Sequence, residues 1–168
     1  MSLSSSEYHP YYAHYIGLSG DGSILEKLDA GTTVFQDFVL AIPDSKMHFA
    51  YAEGKWTISE LLMHLIDSER VFQHRAFRFA RNDKTPLPGF EQDDYVLESI
   101  ARERSKESII NEFLGVRSST LQLFNSFKED IMRRMGTASG SQMSVRALGH
   151  VICGHQVHHL KILQERYL

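Results

Sequence analysis

Apolar residues recur at spacings of three and four along most of this chain, while the alternation typical of strands is weak. The pattern predicts four amphipathic helices. The first begins after Ser23, which forms a capping box with Glu26, and it ends before Pro43. The second begins after Thr57, which has a glutamate three residues later as in a second capping box, and it extends to about Arg81.

The third and fourth predicted helices fill the C-terminal half of the chain. Ser105 is the expected N-cap of the third helix, whose apolar seam runs from Ile109 to Ile131 and which ends near Gly136. Ser144 is the expected N-cap of the fourth. Because each helix has one apolar stripe, we expect the four to pack together as an all-α four-helix bundle.

The segment "NDKTPLPGFEQDDYV" between the second and third predicted helices is long for a bundle connection. Loops of this length without structure of their own often serve function, so this segment is one candidate cover for a site. The alternative is a plain crossover that the bundle topology requires. The sequence leaves both interpretations open.

Length and composition predict one globular domain over residues 1–168, because 42% hydrophobic and 23% charged residues are ordinary values for such proteins. A net charge of -3 with scattered basic residues argues against nucleic acid or anionic lipid as a partner. No apolar run approaches the length of a membrane span.

Two further features indicate the cellular compartment. The N-terminus "MSLSSSEYHPYYAHYIG" lacks the basic start and apolar stretch of a signal peptide. The single cysteine, Cys153, excludes an intramolecular disulfide and favours a reducing compartment. We therefore predict a cytoplasmic protein.

Four of the nine histidines lie in the fourth predicted helix, and its periodicity separates them. With about 100° per residue and Val145 at zero, His155 falls at about 280° and His159 at about 320°, inside the apolar arc. His158, at about 220°, borders that arc, and His150, at about 140°, points away from it. Only the first two are expected to face the bundle interior.

Two imidazoles one turn apart in a core need partners, since an unpaired buried polar group costs about 1–3 kcal/mol. Hydrogen bonding would provide them, and so would a metal ion bound through neutral nitrogens at i and i+4. His64 in the second predicted helix is the candidate third ligand, because it lies at the edge of the apolar stripe beside Ser68 and Arg75. The sequence thus predicts a three-histidine metal site.

Other polar residues near these histidines have more than one interpretation. The fragment "HQVHH" has the histidine spacing of zinc proteases, but Gln156 replaces their general-base glutamate, which excludes that class. Glu69, Asp67 and His158 are candidates to orient a histidine or a bound water. Glu69 is alternatively half of a salt bridge with an arginine, and Asp67 a solvated charge. Trp56 is expected to form a hydrophobic staple.

The segments "KWTISELLMHLIDSER", "RFARNDKTPLPGFEQDDYV" and "GHQVHHLKILQERYL" resemble the DinB/YfiT-like superfamily of metal-dependent four-helix-bundle proteins. The resemblance extends from about residue 15 to residue 168. It implies an up-down-down-up bundle, a homodimer, and a nickel or zinc ion bound by one histidine of the second helix and two of the fourth. Carried onto this chain, these ligands are His64, His155 and His159.

The resemblance also implies two kinds of activity, because the superfamily includes bacillithiol- or mycothiol-dependent enzymes and hydrolases. We predict a metal-dependent thiol S-transferase or hydrolase acting on a small electrophile, with a low-molecular-weight thiol as the cosubstrate of the former. Three histidines leave a metal position open for water or thiolate, and no side chain is assigned as catalytic. The alternative is a non-catalytic stress-related binding or dimerisation module whose structural ion is closed by Glu69 or His158.

Overall fold

The four predicted bundle helices are present in a computed structural model, which describes residues 3–168. Seven α-helices occur in this range: α1 (Ala13–Ser19), α2 (Ile24–Ala41), α3 (Ile58–Ala80), α4 (Gln92–Glu98), α5 (Lys106–Asn125), α6 (Glu129–Met132) and α7 (Val145–Arg166). They are joined by four 3-10 turns, at Ser5–Glu7, Pro10–Tyr12, Asp44–Lys46 and Ala101–Glu103, and by a hairpin of β1 (Met135–Ala138) and β2 (Ser141–Ser144). Within residues 3–168, no helix is both long and apolar enough to cross a bilayer.

The predicted starts of the four bundle helices α2, α3, α5 and α7 are confirmed. Ser23, Thr57, Ser105 and Ser144 each accept a hydrogen bond from the backbone N–H three residues later. At α3 the capping box is complete, because the glutamate at that third position accepts from the Thr57 N–H at 2.7 Å. At α2 only the Ser23 half of the predicted box is present. These bonds are local, so they set the start of each helix without contacts from distant parts of the chain.

Two clusters of buried apolar side chains fill the two ends of the bundle and reveal its topology. The first cluster takes residues from the C-terminal halves of α2 and α7 and from the N-terminal halves of α3 and α5. The second cluster takes residues from the opposite half of each of these helices. Helices α2 and α7 therefore run one way and α3 and α5 the other, which confirms the up-down-down-up order.

A layer of buried polar residues separates the two apolar clusters at mid-height of the bundle. Its principal members are Ser68, Glu69, Arg117, Thr120, His155 and Gln156. Helices α3, α5 and α7 thus change from apolar to polar and back along their inward faces. Buried polar groups need partners from other helices, so this layer is where the tertiary structure brings polar side chains together.

The connection between α3 and α5 must return along the bundle, because these two helices are parallel. It contains α4 and a 3-10 turn, so it is a structured crossover. Leu87 pairs with the hairpin: its N–H donates to the Thr137 carbonyl at 2.9 Å, and the Ser139 N–H donates to the Leu87 carbonyl at 3.1 Å. The crossover and the hairpin together form one wall of the site described below.

The prediction that the third helix continues to Gly136 is wrong, because α5 already ends at Asn125. The chain then turns, and Phe127 packs back on Phe124 with ring centroids 5.5 Å apart. The apolar residues after Asn125 therefore keep a helical spacing in sequence, although the chain there is no longer one continuous helix. The hairpin follows, with both turn residues at positive φ, 51° at Ser139 and 74° at Gly140, as a two-residue hairpin turn requires.

The short helix α1 was not predicted, and it packs directly on α7. A Cβ atom on Gly154 would lie 1.7 Å from the Tyr15 carbonyl oxygen and 3.1 Å from the Ser19 nitrogen. Only glycine permits this approach of two backbones. Gly154 therefore places α1 over α7 beside the polar layer.

Candidate metal centre

Three histidine rings from two helices meet in the polar layer. The Nε2 atom of His155 lies 3.2 Å from the Nε2 atom of His64 and 3.0 Å from that of His159. All three residues are buried, and their ligand atoms lie within 4.8 Å of one another. The structure thus brings together the three residues that the helix periodicities place on facing stripes.

Hydrogen bonding alone cannot satisfy this arrangement. A neutral imidazole nitrogen either donates one hydrogen or offers one lone pair, so His155 Nε2 makes a good hydrogen bond to one neighbour and leaves the other unsatisfied. A cation accepts all three lone pairs at once. Tetrahedral zinc with Zn–N distances of about 2.0–2.1 Å places neighbouring ligand nitrogens roughly 3.3 Å apart, close to both observed separations. The donor set therefore fits a divalent metal ion.

The protonation states of the three rings also favour binding of a metal ion. Burial lowers the pKa of His64 to about 4 and that of His159 to about 3. Burial, with repulsion from the neighbouring imidazoles, holds the pKa of His155 well below its ordinary value. The rings are therefore neutral at physiological pH, and their lone pairs are available without the loss of a proton.

Neighbouring side chains hold the rings in place. The Oγ atom of Ser68 lies 3.5 Å from His64 Nδ1, and the indole of Trp56 packs on the His64 ring with centroids 4.8 Å apart. Trp56, expected to be a staple, thus also touches the candidate site. The Nδ1 atom of His159 is buried and has no hydrogen-bond partner within residues 3–168.

Glu69 lies in a buried ion pair on the other side of the layer. Its two carboxylate oxygens accept hydrogen bonds from Arg117, each at 2.8 Å. Arg117 also donates to the Gln156 side-chain oxygen at 2.7 Å, and Gln156 donates to the Gly31 carbonyl at 2.7 Å. Of the two interpretations of Glu69, the structure shows the salt bridge, and Arg117 is the partner that the sequence could not name.

The remaining candidates pair elsewhere. Asp67 accepts from Arg70 at 3.1 Å, and His158 contacts His14, with ring nitrogens 3.2 Å apart. Cys153 is buried in the second apolar cluster, as a packing residue would be. Within residues 3–168, no fourth histidine, cysteine or carboxylate joins the three-histidine cluster. The cluster can therefore leave metal positions open.

A cleft of about 480 Å³ opens onto His64 and His155. Its walls come from the N-terminal turns and α1, from α3, from the crossover and from the hairpin; they include Tyr11, Tyr12, Tyr15, Ser68, Phe72, Arg75, Phe90 and Ser139. Burial raises the pKa of Tyr15 to about 12, so its phenol keeps its proton at neutral pH. The arrangement places an open face of the histidine cluster against a space for a small molecule.

Sequence reasoning missed the tyrosines of this cleft. Tyr15 packs edge-on against His155, with ring centroids 5.2 Å apart. Two signals could have found it: the aromatic segment "YHPYYAHY" near the N-terminus, and a glycine, Gly154, beside a histidine on the buried face of the last helix. Together they indicate an N-terminal aromatic segment docked on that face.

His150 lies on the side of α7 away from the metal cluster, yet it is half-buried beneath α1. Its Nδ1 atom is 3.0 Å from the Ser19 Oγ. Burial, with smaller effects of Lys27 and Arg146, lowers the pKa of His150 to about 4. The helix periodicity gave the direction of this ring, but α1 decides its environment.

We expect His150→Asn to reduce the acid sensitivity of the fold. In the wild type, the unfolded chain takes up a proton at His150 as pH falls below about 6.5 and the folded chain does not until about 4. The stability linked to this ring is therefore full above pH 6.5 and is lost on acidification towards pH 4. Urea unfolding at pH 7.5, 6 and 5 measures the difference.

The matched control for this prediction is His74→Asn, which changes an exposed histidine in the same way. It should leave the pH dependence of the wild type unchanged. If both variants lose the same stability as the wild type between pH 7.5 and 5, His150 does not contribute to acid sensitivity.

The fold and site define a class: four-helix bundles in which histidines of two helices converge beside a cleft. Residues 27–163 match the DinB superfamily, and the chain belongs to it. A protein of Oceanobacillus iheyensis named "putative metal-dependent hydrolase" is 26% identical over 145 residues, which are 81% of this chain and 79% of that protein.

Two solved structures share the fold. YfiT from Bacillus subtilis, described as a probable metal-dependent hydrolase with an unusual four-helix-bundle topology, has a TM-score of 0.71 at 14% identity. The match covers 98% of this chain and 90% of YfiT. A mycothiol-dependent maleylpyruvate isomerase has a TM-score of 0.65 at 13% identity, covering 82% of this chain and 58% of the isomerase.

Proposed function

We propose that this protein is a metal-dependent hydrolase of small molecules, with His64, His155 and His159 as ligands of a nickel or zinc ion. The observation that carries the proposal is the convergence of three buried, neutral imidazoles, two of which line a cleft, with no fourth protein ligand among residues 3–168. The family relative named as a hydrolase supports the reaction class.

A divalent ion with an open position supplies, when bound, a water of lowered pKa and a Lewis acid for a carbonyl group. The protein's own residues supply orientation and exclusion of water. Phe72 and Phe90 give the cleft apolar walls, and the protonated phenol of Tyr15 is available to donate a hydrogen bond to a bound carbonyl or leaving group.

Elemental analysis of tag-free protein, followed by assays with small esters and amides, tests the proposal. We expect about one nickel or zinc ion per chain and a metal-dependent hydrolysis of at least one substrate class. Protein that holds no metal, and whose melting temperature does not change when nickel or zinc is added, would overturn the proposal.

The same assays separate the two alternatives. Turnover that requires glutathione or bacillithiol would indicate thiol transfer and not hydrolysis. A bound ion without turnover in any of these assays would favour the non-catalytic module. Homodimer formation and the cytoplasmic location stay predictions.

A further inference from the structure

Arg75 is a buried cation without an anionic partner. Its side chain extends from α3 into the cleft region, and the residue is 2% exposed. The other buried arginine within residues 3–168, Arg117, is paired with Glu69, whereas no carboxylate lies within 4.0 Å of the Arg75 guanidinium in that range. A buried charge without a counter-charge is costly, so the absence of a partner calls for an explanation.

The guanidinium carbon lies 5.9 Å from the ring centres of Phe72 and Phe90, but the protein uses only part of the hydrogen-bonding capacity of the group. The Nη2 group donates to the Pro88 carbonyl at 3.2 Å and to the Ser139 Oγ at 2.9 Å. The Nε and Nη1 groups make no hydrogen bond within residues 3–168, although a guanidinium offers five N–H donors. Donors therefore remain for a molecule in the cleft.

The guanidinium and the histidine cluster face the same cleft. Phe72 neighbours both: its ring centroid is 5.9 Å from the Arg75 guanidinium carbon and 5.9 Å from the His155 ring centroid. The guanidinium carbon and the His155 ring centre are therefore separated by at most twice that distance. A small molecule can reach both ends of this space.

We propose that Arg75 binds a carboxylate of the substrate, so that the enzyme acts on small esters or amides that carry a free carboxylate. This inference rests on the proposed function, which places hydrolysis at the histidine cluster, and it adds the class of substrate. The planar guanidinium pairs two donors with a carboxylate. Arg75 is the only arginine or lysine among the residues of 3–168 that line the cleft, and the lining residue Glu91 is exposed and acidic, so the cleft suits a carboxylate better than a phosphate dianion.

The binding of N-acetylglycine and of its neutral analogue N-acetylglycinamide to metal-free protein tests this assignment. NMR titration or calorimetry with metal-free wild type should give an affinity for the carboxylate that is tenfold or more above that for the amide, on the order of a hydrogen-bonded charge pair. Arg75→Gln should bind both probes equally, and Arg75→Lys should retain part of the preference.

Equal affinities of the wild type for the two probes would overturn the inference, whether or not the variants fold. It would also be overturned by a folded Arg75→Gln variant that keeps the preference. The titration is made without metal, so its outcome does not depend on whether the protein binds a metal. Elemental analysis tests the metal proposal on its own.

Ser139→Ala separates carboxylate binding from a purely structural role. This variant removes one bond by which Arg75 holds the hairpin but leaves the cation. We expect the preference for N-acetylglycine to survive with a small loss of thermal stability. Complete loss of the preference in a folded Ser139→Ala variant would contradict an anion site centred on Arg75.

Discussion

His155→Ala is expected to weaken zinc binding by more than about 100-fold and to abolish any metal-dependent turnover. Removing even a group that only orients a ligand costs about 10–100-fold in metal affinity. His155 contributes the central nitrogen of the cluster, 3.2 Å from His64 Nε2 and 3.0 Å from His159 Nε2. Competition with a chromophoric chelator measures the affinity.

His158→Ala is the matched control, because the His158 ring packs on a ligand ring but its nitrogen pairs with His14 and does not join the metal cluster. It should keep zinc affinity near that of the wild type. Zinc binding by His155→Ala at wild-type strength would contradict the proposed centre. Circular dichroism gives a second distinction: a variant that folds without metal shows that the ion serves chemistry, whereas an unfolded one shows a structural ion.

Glu69→Ala is expected to lower the free energy of unfolding by about 3–5 kcal/mol, the cost of leaving a buried charge unpaired. The Arg117 side chain is 1% exposed and that of Glu69 is 4% exposed. Without the carboxylate, the guanidinium keeps only uncharged acceptors, the Leu28 carbonyl and the Gln156 side chain. Urea denaturation at neutral pH measures the loss.

Asp67→Ala provides the comparison, since its partner Arg70 is largely solvated and retains Glu112. The change should be below about 1 kcal/mol. A loss at Glu69→Ala as small as that of Asp67→Ala would show that the polar layer does not depend on this ion pair. Zinc affinity of folded Glu69→Ala should stay near the wild-type value, because the hydrogen bonds of the Glu69 carboxylate go to Arg117.

The four bundle helices could be predicted because residues close together in sequence determine where each helix begins and which face is apolar. Hydroxyl caps mark the starts of α2, α3, α5 and α7, and the apolar stripes identify the inward faces. The same periodicity placed His155 and His159 inward and His64 at a facing edge. A side chain's direction on a helix follows from residue number alone.

The elements that were missed depend on distant parts of the chain. The hairpin strands are only four residues long and rich in small residues, so their alternation carries little signal. Helix α1 has seven residues, too short to be stable alone, and it is held by contact with Gly154 of α7. Both elements are stabilised by packing against the bundle helices.

The sequence by itself determined the four helices, their inward faces and the residue types available for a metal. Only the tertiary structure decided which of these residues meet. It paired Glu69 with Arg117 and His158 with His14, brought three imidazoles within contact distance, and left Arg75 without a carboxylate in the described chain. The reason is physical: helical periodicity is set by neighbours in sequence, whereas the partners of a buried polar group come from other helices.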